Sequence, residues 1–405
     1  MKKLLMISGF GGSSLALGKR GAFYNTLEEF HKYWDRIDII CPKVANNINS
    51  ANPKSKTLNP KQIQNYKPQT LNLFNNVFIH PSPWPLWLQP LWILREGIRI
   101  LKTNNYKLQT KNYIMTVHEY PPFYNGIGSK VLASKIGVPY ILEIHHIPGY
   151  PKAAGGKEAF YRWLTKKFIR FDASGASAVR VVNQKQVPSF LIGAGIRQDK
   201  IKYIPSMYID LEVFQPMSGE TKKYDLVFAG RLEKNKNTGM LIKAISKVKS
   251  QNPEVKLLII GNGPEKENLK SEIKNLNLEN NVFLAGWLPM AKDVARAYNS
   301  ARIFINPSLN EGGPRVALEA MACGLPVITT RVGIMNDIII EGETGLFIEW
   351  TAYDMSEKIK KLLNDNKLQE TFSQAGVGIS RQFERKKIIE NYAGELLNIA
   401  KQSTV

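Results

Sequence analysis

Cysteine is nearly missing from this chain: there are two in 405 residues, Cys41 and Cys323. That excludes a disulfide scaffold and a cysteine-based zinc site, and it leaves both thiols to be read as small buried residues. Long apolar runs are missing too. No stretch approaches the ~20 residues of a membrane-spanning helix. The start, MKKLLMISGFGGSS, offers only Leu4 to Ile7 where a secretory signal needs an apolar run of ~7–15. It reads instead as a buried strand running into a glycine-rich loop at Gly9, Gly11 and Gly12. That loop lacks the third glycine of the dinucleotide fingerprint, which argues against a dinucleotide oxidoreductase. No pair of the five histidines has helical zinc spacing, and no Asp-x-Asp offers paired carboxylates to a divalent ion, so no metal site is expected. Acidic residues are scarce, 34 against 55 Lys and Arg, giving +21 at pH 7. Such an excess suits nucleic acid, an anionic membrane surface, an acidic substrate, or merely a solvated surface. No base-reading module is recognisable, so nucleic acid is not expected.

What is present describes a folded protein of two to three domains. The composition, 43% hydrophobic and 22% charged, is that of a globular chain. The charge is uneven: residues 1–205 carry 29 basic and 10 acidic side chains, residues 206–405 carry 26 and 24. Short apolar runs rich in Val and Ile recur at Leu4–Ser8, Ile37–Cys41, Tyr113–His118, Tyr140–His145 and Ala178–Asn183. They continue at Asp225–Ala229, Lys256–Gly261, Val282–Ala285, Ile303–Asn306 and Pro326–Thr330. Continuous runs of this length suit strands buried on both faces of a parallel sheet. Helical patterns lie between them, among them Gly239–Ser250, Pro264–Leu276 and Pro314–Cys323. Repeated βα units predict doubly wound α/β sheets, two of them. The break falls in residues 200–225, where Pro205, Pro216 and Gly219 punctuate a nonperiodic stretch. Residues 46–72 read as a long loop, and a terminal helix is expected from about Ser380 to Gln402.

One segment, residues 77–101, sets Trp84, Trp87 and Trp92 among four prolines, with Arg95, Arg99 and Lys102 following at helical spacing. Proline forbids a regular helix before Leu91, so an amphipathic helix is predicted over Leu91–Leu101. Trp beside Arg and Lys is the composition of an interfacial anchor, and equally of a core-packed loop.

Four segments carry chemistry. In IFINPSLNEGGPRVALEAMACGLPVITT, residues 303–330, a strand ends at Asn306, a loop holds Glu311, Gly312 and Gly313, and Pro314 sits where a helix begins. Gly324 and Pro326 stop that helix. Free amides and the positive end of the helix dipole make an anion site there. Glu311 lies at its rim and Glu319 one to two turns deeper, which suits hydroxyl recognition on a sugar-phosphate. In DLVFAGRLEKNKNT, residues 225–238, Arg231, Lys234 and Lys236 follow a strand end, where open α/β sheets bind ligands, and suit a diphosphate. LLIIGNGP (257–264) and VFLAGWL (282–288) end in glycines that permit close backbone approach.

Jointly these segments resemble the family 4 retaining glycosyltransferases of the GT-B fold, two Rossmann-like doubly wound domains facing each other across a cleft. The family's G-R-L with Lys five positions after Arg matches Gly230, Arg231, Leu232 and Lys236. Its Glu-x7-Glu followed by A-M-A-x-G-x-P-V matches Glu311, Glu319 and AMACGLPVI. The stretch from Gly333 through Asp337, Glu341, Gly342 and Gly345 to Leu346 is also similar. The resemblance implies a nucleotide-sugar donor, UDP- or GDP-linked, with Arg231, Lys236, Gly312 and Gly313 at its diphosphate. It places Glu319 on the ribose and Glu311 on the donor sugar beside the reacting carbon. Gly286, Trp287 and Leu288 would border the base, and Gly11 and Gly12 would lie over the phosphates. P-V-V-x-T-V-H matches Pro139–His145, which puts His145 near the reaction centre, with His118 the runner-up. His145 and His146 are expected to point to opposite faces of one strand. The resemblance further implies metal independence, no cofactor and retention of configuration, so Glu311 and Glu319 are not read as a hydrolase dyad. Three departures stand out. Gly312-Gly313-Pro314 replaces G-F-G, with Arg315 next to it. IPSMYID at Ile204–Asp210 replaces a pattern one residue shorter, I-P-N-G-V-D. Asn237 stands where glycine usually follows the Lys.

The expected organisation is an acceptor-side domain over 1–205, a nucleotide-sugar domain over 206–378 and a helical segment over 379–405 packing back on the first. The expected activity is transfer of a hexose-type sugar to a glycan or polyprenyl-diphosphate-linked acceptor, in cell-surface polysaccharide or glycolipid synthesis. A nucleotide-sugar epimerase or other non-transferase of the same fold is the alternative. Because a few local charges serve the donor diphosphate, the basic first half points to an acidic acceptor at an anionic membrane, with Trp84, Trp87 and Trp92 as contacts. The expected place is cytoplasmic, peripheral on the inner face of the cell membrane.

Overall fold

The computed structural model describes residues 2–18, 21–43, 71–102 and 113–402. The loop expected over 46–72 lies outside the described residues up to position 70. The first sheet comprises β1 (Lys3–Ile7), β2 (Arg36–Cys41), β3 (Leu71–Leu73), β4 (Val77–Pro81), β5 (Tyr113–His118), β6 (Tyr140–Ile144), β7 (Ala178–Val181) and β8 (Ile201–Tyr203). Their order is β3-β4-β2-β1-β5-β6-β7-β8, parallel except for the β3–β4 pair at one edge. The second sheet comprises β9 (Tyr224–Ala229), β10 (Leu257–Ile260), β11 (Val282–Gly286), β12 (Ala301–Asn306), β13 (Val327–Thr329) and β14 (Leu346–Phe347), in the order β11-β10-β9-β12-β13-β14 and all parallel.

The alternation within β1 shows why these are buried parallel strands. Leu4 and Met6 face a core shared with Leu27, Phe30, Ile37 and Ile39, whereas Leu5 and Ile7 face one built with Ile93, Leu132, Ile169 and Val187. Successive strand side chains point to opposite faces, and here helices cover both, so no polar face is needed. Each fully buried aliphatic side chain contributes about 1.5–3 kcal/mol. In the first sheet the chain leaves β1 towards β2 and later returns on the other side through β5. In the second, β10 and β12 flank β9 in the same way. These reversal points, between β1 and β5 and between β9 and β12, open the crevices in which doubly wound sheets bind ligands.

Several boundaries differ from expectation, each for a local reason. Gly11 and Gly12 lie not in a loop but inside a helix, Phe10–Ala16. A Cβ at Gly12 would stand 2.7 Å from that of Cys41, so the glycine lets this helix lie close against β2. The helix after the Trp-rich segment is Gln89–Leu101, with Pro90 in its first turn, where no hydrogen bond is lost. Pro314 is the N-cap of the helix Arg315–Ala322, extended at ψ 91°. The terminal helix expected from about Ser380 to Gln402 is present and starts at Arg385: a 3-10 turn separates two helices, Asn366–Ser380 and Arg385–Gln402. The second lies on the first domain: Tyr392 stacks on Phe30 at 4.8 Å, and Arg385 Nη2 donates to Glu28 Oε2 at 2.8 Å. Strands β3, β4, β8 and β14, each short or within a stretch read as loop, were not expected.

Candidate functional site

The site forms where the carboxyl ends of both sheets meet. At the end of β9, Gly230 (φ +155°) leads through Arg231 and Leu232 into a 3-10 turn, Lys234–Lys236. The next residue, Asn237, is left-handed (φ +53°) and opens the helix Thr238–Lys249. That conformation explains a departure seen in the sequence: glycine adopts it freely, and Asn is among the few other residues that tolerate it. Glycine at 230 suits a φ that side-chain-bearing residues rarely adopt, and the turn it opens sets the course of Lys236.

Lys236 thus reaches Glu311, in the loop after β12, and pairs with it at 2.8 Å. The pair is largely buried, with side chains 13% and 11% exposed. Ser308 Oγ donates to the other Glu311 oxygen at 2.5 Å. Arg231 points elsewhere: it is exposed and pairs with Glu233 at 3.0 Å. Glu319, on the helix Arg315–Ala322, is held back beside Tyr298 and Cys323. Burial pushes its pKa up to about 7, opposed by the cation of Arg315 and by Tyr298. Arg315 lies 4.6 Å from the Tyr208 ring centroid. Gly286 is left-handed (φ +71°) at the end of β11, Trp287 beyond it is exposed, and Leu288 packs against the core.

The first domain closes on this loop. Asn183 Nδ2 donates to the Gly312 carbonyl at 3.0 Å, and Gln186 Nε2 to that of Glu311 at 3.0 Å. Gln186 Oε1 accepts from the Gly333 amide at 2.6 Å, and Asn310 Nδ2 donates to Glu158 Oε2 at 2.8 Å. Gly312 packs on the chain at His145–His146 so tightly that a Cβ would stand 1.9 Å from the His145 carbonyl oxygen. Gly313 faces Met207, whose Cε would lie 2.3 Å from a Cβ there.

The two histidines do not divide as strand alternation predicts. Strand β6 ends at Ile144, so both follow it in a loop, and both retain access to solvent. The His145 ring lies 4.3 Å from that of His118. Burial, His118 and Arg180 hold it well below the usual imidazole range, so it is neutral at pH 7. His146 is also held low by burial, and it senses Glu311, Glu158, Lys236 and Arg231. Of the two it is therefore His146 whose charge is coupled to the Lys236–Glu311 pair.

Arg180 carries a role the sequence did not announce. It is fully buried, donates to Glu143 Oε1 at 3.0 Å and to the Ile204 carbonyl at 2.9 Å, and reaches His145 Nε2 at 3.5 Å. Tyr392, from the C-terminal helix, donates to the same Glu143 oxygen at 2.6 Å. The signals were an Arg inside an apolar strand and polar Asn183 and Gln186 at a strand end. The three tryptophans separate. Trp92 is only 6% exposed, edge-on to a half-buried Trp84 at 5.6 Å, so it is a core residue and not an interfacial one. Trp87 is exposed. Among the described residues, no group of three or more His, Cys, Asp or Glu is placed to hold a metal ion, and no helix is long and apolar enough to cross a membrane.

Residues 212–377 match the family model described as glycosyl transferases group 1. The sulfoquinovosyl transferase SQD2 of Arabidopsis thaliana is 29% identical over 64% of this chain and 52% of its own. The capsular polysaccharide biosynthesis glycosyltransferase CapM of Staphylococcus aureus is 33% identical over 42% of each. The chain thus spans about half the length of these curated relatives. Among solved structures, Anabaena HepE in complex with UDP and glucose superposes with a TM-score of 0.68 at 18% identity, over 98% of this chain and 100% of that one. The fold is GT-B.

Proposed function

We propose that this protein is a retaining, metal-independent glycosyltransferase that moves a hexose-type sugar from a UDP- or GDP-linked donor to a glycan or lipid-linked acceptor. The observation that carries the reading is the largely buried Lys236–Glu311 pair, set where the carboxyl ends of both sheets converge. HepE, of the same fold, is described as binding UDP and glucose, and the relatives named above, a sulfoquinovosyl transferase and a capsular polysaccharide enzyme, support a place in glycolipid or cell-surface polysaccharide synthesis.

On this reading the arriving diphosphate takes Lys236 from Glu311, and exposed Arg231 swings from Glu233 to join it. The freed Glu311 accepts hydrogen bonds from donor-sugar hydroxyls, and Glu319 accepts them from the ribose. The bond from the anomeric carbon to the diphosphate oxygen breaks as the acceptor oxygen bonds to that carbon from the same face, and the acceptor proton passes to the leaving phosphate. Catalysis then rests on stabilising the leaving charge with the two recruited cations and with the preorganised amides at the start of the helix Arg315–Ala322. Neutral His145, held by Arg180, presents an uncharged ring to the sugar. A thermal-shift panel of nucleotide-sugars identifies the donor, because ligands that bind the folded state raise its apparent stability. Lys236→Ala and Glu319→Ala should each abolish transfer from it while leaving the fold intact. Wild-type turnover in the purified double variant refutes the assignment.

A further inference from the structure

The helix Gly156–Ser174 presents the wrong side chains to solvent. Its inward face, Thr165, Ile169, Asp172 and Ala173, packs on the first sheet. Its outward face, which a water-exposed helix fills with polar residues, carries Phe160, Trp163 and Phe171, each more than half exposed. Phe160 and Trp163 stack on one another at 5.8 Å without covering either ring. Scattered exposed apolar residues need no explanation, but a row of three large aromatics at helical spacing marks an interaction surface. The helix Tyr124–Ile136 lies beside Gly156–Ser174 over the same sheet face, with Gln89–Leu101 on the far side of Tyr124–Ile136; they carry exposed Val131 and Leu91, and exposed Trp87 precedes Gln89–Leu101.

Charge selects the occupant. These three helices hold nine basic residues and three acidic ones. All three carboxylates are turned away: Glu96 pairs with His80 and Arg99, Asp172 is buried, and Glu158 accepts from Ala154 and Asn310. Lys166, Lys167 and Arg170 remain exposed between the aromatics. Aromatic side chains standing out from a cationic helix face, with no opposing carboxylate, fit a bilayer interface rich in anionic lipid.

We propose that the helix Gly156–Ser174 docks this protein on an anionic membrane surface, with Phe160, Trp163 and Phe171 entering the headgroup layer and Lys166, Lys167 and Arg170 pairing with lipid phosphate. The interfacial role read from the Trp-rich segment thus moves to a different helix, with Trp87 its remaining contributor. The same helix touches the donor loop at its first turn, through Glu158 and Asn310, so docking sets the cleft beside the lipid surface. That last consequence rests on the proposed function; the docking does not.

The test is co-sedimentation of the full chain, without donor, on phosphatidylcholine vesicles with and without a third of phosphatidylglycerol. Binding is expected only with the anionic lipid, weakening as salt rises. The Lys166→Gln, Lys167→Gln, Arg170→Gln variant should lose about a hundredfold in partitioning, since each charge near the surface is worth about fivefold. A Trp163→Ser, Phe171→Ser variant should also detach, while the thermal shift on adding nucleotide-sugar stays at the wild-type value in both. Equal binding to both vesicle types, variants that bind like the wild type, binding to duplex DNA in preference to vesicles, or a dimer in sedimentation velocity that the aromatic variant dissolves would each overturn the proposal. Failure of transfer with intact vesicle binding would count against the proposed function alone.

Discussion

Glu319 offers the most direct test of how the site's electrostatics are built. Its carboxyl pKa stands at about 7 instead of 4.5, mainly through burial on the helix Arg315–Ala322. An unfolded chain gives up this proton near its ordinary value, whereas the folded chain keeps it to about 7. Between those values the folded state binds more protons, so stability falls as pH rises and the full cost is reached above about pH 7.5. The shift corresponds to roughly 2–3 kcal/mol after allowance for partial exposure. Glu319→Gln keeps the shape and removes the titration. In a domain of 150–250 residues each kcal/mol moves Tm by about 2–4 °C. The melting temperature of the variant relative to wild type should therefore climb by about 5–10 °C between pH 5 and pH 8.5, read by differential scanning calorimetry. On the proposed function the ribose diol donates to the ionised carboxylate, so the Tm rise caused by nucleotide should grow through pH 7 in the wild type and stay flat in the variant. A Tm gap that is the same at pH 5 and pH 8.5 refutes the reasoning.

Glu119 and Asp172 are buried facing each other across Gly126. Burial holds Asp172 up at about 7 and Glu119 well above its usual range, Glu119 also through its like-charged neighbour. Asp172→Asn should stabilise the protein at pH 8.5 and do little at pH 5, and the opposite ordering in thermal melts would contradict the assignment. His80 bridges Asp38 at 2.9 Å and Glu96 at 3.0 Å inside the first domain. Its pKa is raised, despite burial, by Asp38 and Glu96, whereas Glu96 is lowered to about 2 and Asp38 is lowered by His80 and Arg36. The histidine's contribution is lost as pH rises above 6.5 and those of the carboxylates as pH falls below about 4. His80→Ala should cost about 3 kcal/mol at pH 5.5 by removing one charge-assisted hydrogen bond each from Asp38 and Glu96, which keep Arg36 and Arg99 as partners, and a loss under about 1 kcal/mol in urea unfolding refutes the network. Gly312→Ala should widen the molecule in small-angle scattering and cut transfer at least tenfold, because a Cβ cannot fit against the His145 carbonyl; an unchanged radius of gyration counts against the seam. Gly313→Phe should destabilise, and Met207→Ala should relieve at least half of that loss; purely additive costs refute the coupling.

Much of the fold was legible because parallel strands covered on both sides must be continuously apolar. The runs from Leu4, Ile37, Tyr113, Asp225 and Ile303 all became central strands. The missed strands are those without that constraint. Strand β3 is an antiparallel edge, β8 and β14 are edges of two or three residues, and β4 was hidden among prolines and tryptophans that suggested a loop. Of the site, Lys236 and Glu311 were each legible as ligand-binding residues after a strand end, only the family resemblance set both on one donor, and nothing in their spacing showed that they pair. The seam made by Asn183, Gln186 and Asn310 was illegible because each partner lies more than a hundred residues away. The histidine assignment depended on one residue at a strand end: alternation assigns faces only while the strand lasts, and β6 stops at Ile144.

Two departures from the resembled family turn out to be one. Read along the chain, glycine at 313 instead of phenylalanine and the longer segment Ile204–Asp210 are unrelated irregularities. In space Met207, from the longer segment, lies with its Cε 2.3 Å from where a side chain on Gly313 would begin. Methionine is unbranched and fills irregular gaps, so it can occupy the volume left when an aromatic ring is absent. The space is filled from the linker between the domains instead of from the donor loop. Arg315 and Arg385 extend the same exchange: both lie over Tyr208, the residue after Met207, at 4.6 and 5.5 Å from its ring centroid. Arg315 belongs to the helix that carries Glu319, and Arg385 to the helix that returns to the first domain. The lengthened linker is therefore packed against both domains beside the cleft, which makes the distance between them a property of Met207 and Tyr208 as much as of the cleft residues themselves.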